Sequence, residues 1–202
     1  DAAIIIVTAG ANQKPDETRL DLVQKNVGIF KSIIPEIAKR NCGGILLIVS
    51  NPVDILTYTA LKLSGFPENR VLGSGTVLDT ARLKYNLGEH LNVELAAWSS
   101  ATVSGVPINT FCEMRGHFNH DEATERIAEN VKNSAYEIIA KKKATYFGVA
   151  MAVRRICEAI IRDEKSILPV SNLMHGEFGI SDISLSMPAI VGAHGVENRI
   201  PI

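Results

Sequence analysis

The chain reads as an α/β protein, an open parallel sheet with helical crossovers followed by helices packed on an antiparallel sheet. Two short runs, Ala3-Ile-Ile-Ile-Val-Thr8 and Ile45 to Val49, are apolar almost throughout, the pattern of strands buried on both faces. Each run leads into a helical pattern, and that alternation selects a parallel sheet with crossovers. After Asp163 the pattern changes to short strand-like pieces separated by Gly-containing turns.

Ala9-Gly10-Ala11 ends the first strand, and Asn12 to Thr18 is a polar loop. From Leu20 the residues Leu20, Val23, Val27, Phe30, Ile34 and Ile37 recur at steps of three and four, so an amphipathic helix follows. Pro35 is expected to kink it or end its first segment. Gly43-Gly44 resets the chain into the second strand, which stops at Ser50-Asn51-Pro52. A short helix to about Leu63 follows, then a strand near Val71-Leu72. The turn at Gly73-Ser-Gly75 comes next, and a third helix runs from about Leu78 to His90. In such a sheet ligands sit at the carboxyl ends of the strands, where Gly10 and Asn51 fall.

In the second half, Asp121 to Lys142 and Thr145 to Ile161 are helical patterns. Ile167 to Val170, Ile183 to Met187 and Ala189 to Val191 read as three short strands. The expected division is 1–94, the carboxy-terminal part of a dinucleotide-binding domain, and 95–202, with a boundary near Glu94 to Trp98.

Twenty-one Lys and Arg against twenty-two Asp and Glu give a net charge of -1, so bulk electrostatics favours neither nucleic acid nor a membrane surface as partner. Hydrophobic residues make up 46% and charged residues 21%, which excludes disorder and small disulfide scaffolds. Cys42, Cys112 and Cys157 form no CxxC pair and fit reduced thiols in a cytosolic protein. No apolar run approaches the roughly 20 residues of a membrane span, and Asp1 opens on a hydrophobic run without a basic leader. A start in mid-pattern leads us to expect that the chain begins inside a larger protein.

Several residues carry chemistry on local grounds. Arg19, at a helix start beside a polar loop, is either a surface cation or a group that polarises a carbonyl as negative charge develops on oxygen. Asp79 and Arg82 share a helix face, as an ion pair or as a histidine-orienting acid beside a two-pronged carboxylate grip. Asn51 ends a strand, either as a cap or as a contact to ribose or substrate oxygen. His117 and His120, with Glu113 and Glu122, read as a solvated segment rather than a metal site, so no metal is expected. His90, His175 and His194 show no feature of a base. No GxGxxG follows the first strand, and Gly73-Ser-Gly75 reads as a tight turn rather than a phosphate loop.

Four ordered segments carry a resemblance over nearly the whole chain. They are Thr8-Ala-Gly-Ala-Asn-Gln13-Lys-Pro-Asp-Glu-Thr-Arg19-Leu-Asp-Leu-Val, Ser50-Asn-Pro-Val-Asp-Ile-Leu-Thr-Tyr, Gly73-Ser-Gly-Thr-Val-Leu-Asp79-Thr-Ala-Arg82 and Lys143-Ala-Thr145-Tyr-Phe-Gly. Together they closely resemble the bacterial NAD-dependent L-lactate dehydrogenases of the lactate/malate dehydrogenase superfamily. The resemblance implies an incomplete Rossmann-like parallel sheet followed by an α+β substrate domain with antiparallel strands. The implied activity is reversible hydride transfer between NADH and pyruvate, giving L-lactate and NAD. Arg19 then corresponds to the carbonyl-polarising arginine of a mobile loop, and Arg82 to the partner of the substrate carboxylate. Asp79 corresponds to the partner of the catalytic histidine, Asn51 to the contact with substrate and nicotinamide ribose, and Thr145 to the substrate-pocket threonine. Thr8, Ala9 and Gly10 correspond to the cofactor wall. Gln13 occupies the position that separates lactate from malate enzymes. A neutral amide suits the methyl of pyruvate, whereas arginine would neutralise the second carboxylate of oxaloacetate.

Three family segments have no counterpart: an amino-terminal third with the glycine-rich cofactor loop, a segment between Glu94 and Leu95 ending in Gly-Glu-His-Gly-Asp that supplies the catalytic histidine, and the carboxyl end. Gly88-Glu-His90 is not that segment, because it closes the preceding helix and is followed by Leu91. The full polypeptide is expected to carry these pieces, since losing them would remove a strand and the base. If it does not, the alternative is a non-catalytic oligomerisation or binding remnant of the fold, and malate dehydrogenase is a minor alternative. The resemblance also implies a cytoplasmic homotetramer in fermentative metabolism. A fructose 1,6-bisphosphate activator is implied too, with Lys84 at its arginine position.

Overall fold

The computed structural model describes residues 2–11, 19–41, 43–91, 122–142 and 146–200. In order the elements are β1 (Ile4–Val7), α1 (Arg19–Arg40), β2 (Ile45–Ile48), α2 (Val53–Ser64), β3 (Val71–Gly73) and α3 (Val77–Leu91). They continue with α4 (Glu122–Lys142), α5 (Phe147–Ile161), β4 (Ser166–His175), β5 (Ser181–Gly192) and β6 (Gly195–Arg199). A six-stranded sheet in the order β1-β2-β3-β4-β5-β6 joins them. β1 to β3 run parallel, with Ile6 opposite Leu47 and Leu47 opposite Leu72. β4 to β6 are antiparallel, and the two halves meet at a single pairing of Gly73 with Ser171.

The alternation along β2 explains why this strand sits inside. Ile45 and Leu47 face one core, with Leu72, Ile156 of α5 and Val170, while Leu46 and Ile48 face the other, with Phe30 and Ile34 of α1 and Leu56 of α2. Side chains on a strand point alternately to opposite faces, so an unbroken apolar run needs a layer on each side. The joint at Gly73 is tight. A Cβ there would lie 2.8 Å from Ser171 Cβ and from Val53 Cγ2, and closer still to Thr57 Oγ1.

Two expectations are corrected. Pro35 does not end a first helical segment, one of the two effects expected of it, since α1 is continuous from Arg19 to Arg40. Phe30 and Ile34 are fully buried. At about 1.5–3 kcal/mol for each buried side chain, they offset the roughly 3 kcal/mol that proline costs inside a helix. The pieces Ile183 to Met187 and Ala189 to Val191 are one strand, β5, which passes through Pro188 opposite Pro169. A further strand, β6, follows a turn closed by Gly195 at φ 89. Its Glu197 and Asn198 conceal it, being polar where a buried strand leaves an apolar run.

Candidate functional site at the carboxyl ends of the parallel strands

β1, β2 and β3 stop at the same edge, and their exits are stitched together. Val49 N donates to Val7 O at 2.9 Å, Ser50 Oγ donates to Ala9 O at 2.6 Å, and Ser74 N donates to Ile48 O at 2.7 Å. The exit of β3 is a turn with Gly75 at φ 55, and its next amide, Thr76 N, donates to Pro169 O at 3.0 Å. The glycine is required there, since a Cβ would run into the backbone of Pro169 and Ser171. The turn delivers α3 with its first residues at the strand ends. Asp79 falls in the first turn, where a carboxylate suits the positive end of the helix dipole.

A cavity of about 170 Å³ opens at this edge. Asn51, Val49 and Val53 line it from the exit of β2, and Ser74, Gly75 and Leu78 from the exit of β3. Asp79 and Arg82 complete it from α3, and Val149 and Ala152 from α5. Arg82 Nη1 donates to Asp79 Oδ1 at 3.1 Å, and the arginine side chain is 18% exposed against 48% for the acid. The ion pair and the grip are therefore compatible. Among the described residues one guanidinium nitrogen is engaged, and a guanidinium has five N–H donors in a fixed fork. The cavity thus combines a mostly buried cation, a neutral amide and apolar walls.

The structure brings Asn51, Asp79 and Arg82 together around one space. Thr8, Ala9 and Gly10 lie at the exit of β1, with Thr8 and Gly10 exposed. Arg19 is the first residue of α1. Gln13 and Thr145 lie outside the described residues, as do His117, His120, Cys42 and Cys112 and the proposed boundary at Glu94 to Trp98. Lys84 sits apart from the cavity lining, half-buried on α3, where burial first and then the nearby Arg155 charge push its ammonium below the usual lysine range. Cys157 is a free thiol whose pKa burial raises. His175 Nε2 lies 2.8 Å from Glu68 Oε2, and Asn69 donates to the carbonyl of His194, so both histidines serve the antiparallel half. Among the described residues no group of three or more His, Cys, Asp or Glu is placed to hold a metal, and no helix is long and apolar enough to cross a membrane.

Sequence reasoning passed over Val149, Ala152, Ser74 and Asn26. The first two were readable as a one-turn spacing on a helix of small apolar residues. Asn26 left a clearer sign, because it interrupts the apolar stripe Val23, Val27, Phe30 with an amide, and it is 1% exposed.

Comparison with known proteins places the fold in a family. Residues 1–73 match the family model for the lactate/malate dehydrogenase NAD binding domain, and residues 77–202 match that for the lactate/malate dehydrogenase alpha/beta C-terminal domain. An L-lactate dehydrogenase of Acetivibrio thermocellus is 53% identical over 98% of this chain and 68% of its own length. L-lactate dehydrogenase 1 of Clostridium acetobutylicum is 50% identical over 98% of this chain and 69% of its own. The first alignment runs over 215 positions while taking in 98% of 202 residues, so about 17 positions of that relative meet no residue here. The ligand-bound crystal structure of the minor L-lactate dehydrogenase of Enterococcus mundtii superimposes with a TM-score of 0.86 at 42% identity, covering all of this chain and 69% of that one. A lactate dehydrogenase from a Medee basin deep-sea metagenome library gives 0.86 at 38% identity, with the same coverage. With both halves matched in order and relatives about half identical across nearly its whole length, the chain belongs to the lactate/malate dehydrogenase family.

Proposed function

We propose that the cavity at the strand ends is the pyruvate site of an NAD-dependent L-lactate dehydrogenase, with Arg82 holding the substrate carboxylate. The observation that carries this is the convergence of Arg82, Asp79 and Asn51 on one small space. About 170 Å³ takes roughly half a dozen water-sized groups at about 30 Å³ each, the scale of a three-carbon keto acid.

The strand exits suit the nicotinamide end of the cofactor. Thr8, Ala9, Gly10, Ala11, Ser50 and Asn51 carry no charge, and exposed backbone beside a side-chain amide matches a ribose and a carboxamide. NADH, when bound, supplies the hydride. The protein's own residues do the rest. Arg82 orients the acid through its carboxylate, and Arg19 polarises the carbonyl oxygen as it gains negative charge. Asn51 fixes the substrate against the ribose, Thr145 takes the part of the family's substrate-pocket threonine, and Asp79 orients the proton-donating histidine of the family segment without a counterpart here. Gln13 leaves the methyl end of pyruvate unopposed by charge.

Steady-state NADH oxidation with pyruvate and with oxaloacetate tests the assignment. Gln13→Arg is expected to shift the ratio of the two kcat/KM values toward oxaloacetate by about 10–100-fold, the worth of one charge-assisted pair. An unchanged ratio refutes the role of Gln13.

The roughly 17 unmatched positions favour a second reading if they are missing from the polypeptide itself: a non-catalytic remnant that associates but does not turn over. An intact mass above 21.9 kDa by at least that segment selects the enzyme. We keep the division into 1–94 and 95–202, a homotetramer and a cytoplasmic location as parts of the proposal. Lys84 near Arg155 supports an anion such as fructose 1,6-bisphosphate as activator, because a phosphate would suit two neighbouring cationic side chains and would offset the burial and the Arg155 charge that lower the lysine pKa.

A further inference from the structure

From α1, Asn26 bonds to two of the strand exits at once. Its Oδ1 accepts from Ala11 N at 2.7 Å, beyond the end of β1, and its Nδ2 donates to Asn51 O at 2.7 Å, beyond the end of β2. Gly10 packs against the same amide, with room for a Cβ only at 3.5 Å from either of its polar atoms. Both backbone partners lie in irregular chain with no ladder to join, and the Asn26 amide supplies each with a hydrogen bond inside the protein. Only a group that donates and accepts at one carbon, in this size, satisfies both.

The placement along α1 gives that amide its importance. Asn26 stands seven residues, two helical turns, after Arg19, which opens the helix. Ser50 already ties the exits of β1 and β2 to each other through Ala9 O. The Asn26 bonds add a connection from both exits to the helix.

We infer that Asn26 is a positioning residue that locks the helix bearing Arg19 to the strand exit bearing Asn51, and so sets the carbonyl-polarising group against the bound substrate. The inference rests on the roles proposed above for Arg19 and Asn51. Without the amide the exits stay stitched by Ser50, Arg82 on α3 keeps its grip and Phe30 and Ile34 still hold the body of α1, while the first turns of the helix lose this tie to the exits. The loss therefore falls on kcat rather than on the substrate KM.

A double-mutant cycle in the intact polypeptide tests this, with Asn26→Leu, Arg19→Gln and both together. A misplacement of the order of 1 Å costs up to about 100-fold, so Asn26→Leu alone is expected to lower kcat for pyruvate about 10–100-fold, with KM for pyruvate and Kd for NADH within about 3-fold. In the Arg19→Gln background the same change is expected to cost less than about 3-fold, because the group it positions is already gone. An equal cost in both backgrounds overturns the inference and leaves Asn26 a merely structural residue. If Arg19→Gln alone leaves kcat unchanged, the assigned role of Arg19 has failed, and the inference falls with it for that separate reason. Should Asn26→Leu not fold, Asn26→Asp keeps the shape and the acceptor and is read through the same cycle. Failure of both variants to fold overturns the positioning role.

Discussion

The two halves of the sheet use their strands differently. In the parallel half, β1, β2 and β3 are three or four residues long, and their exits carry the polar groups that line the cavity. In the antiparallel half, β4 and β5 run ten and twelve residues in a long ladder, and several polar side chains there pair within the sheet or with the elements packed on it. Arg199 donates to Asn172 Oδ1 at 2.8 Å and reaches Glu68, which also meets His175. Lys165 pairs with Glu197. Parallel strands need a crossover each, so their ends all open on one edge where loops can converge. Antiparallel strands turn back on themselves, and their ends close.

This contrast predicts that stability and turnover separate by location. The largest effect belongs to the joint between the halves. Gly73→Val forces side-chain atoms into Ser171, Val53 and Thr57, so a loss of about 3 kcal/mol or more is expected in urea unfolding, with reduced soluble yield. A stability within 1 kcal/mol of the parent, roughly the ordinary spread of point mutants, would mean that the halves do not meet closely at β3 and β4.

The smallest expected effect lies where α2 is lashed to β5. Asp182 accepts from Lys62 at 2.9 Å and from Tyr58 at 3.1 Å, and these bonds, Lys62 first, hold its carboxyl below the usual aspartate range. A carboxyl with a lowered folded pKa stabilises above its unfolded value, near 3.9, and that contribution disappears as pH falls through the folded value. Asp182→Asn is therefore expected to lower Tm slightly at neutral pH, with the difference vanishing in acid and kcat unchanged. A difference that grows in acid would contradict the pairing.

The same contrast explains what was readable in the chain. The parallel half was legible because strands buried on both faces leave unbroken runs such as Ile45 to Ile48, and because its exits carry whole motifs: Ser50-Asn51-Pro52 and Asp79 to Arg82. The antiparallel half was less so. Pro188 looked like a break and is paired within β5, and the polar residues of β6 hid a strand of the sheet edge. The helix end expected at Pro35 is absent for a related reason, since local propensity gave way to the burial of Phe30 and Ile34. Within the site, residue types named Arg82, Asp79 and Asn51. The role of Asn26 depends on backbone groups 15 and 25 residues away, which spacing along one helix does not reveal.

The central claim is that the cavity edge, with Arg82 in it, grips the substrate carboxylate. Arg82→Lys in the intact enzyme tests it most directly, with NADH affinity measured alongside pyruvate turnover. Lysine keeps the charge and loses the fork. The account predicts that kcat/KM for pyruvate falls about 100-fold while Kd for NADH stays within about 3-fold, as expected for a group that touches substrate and not cofactor. An unchanged kcat/KM, or a loss confined to NADH binding, would contradict it.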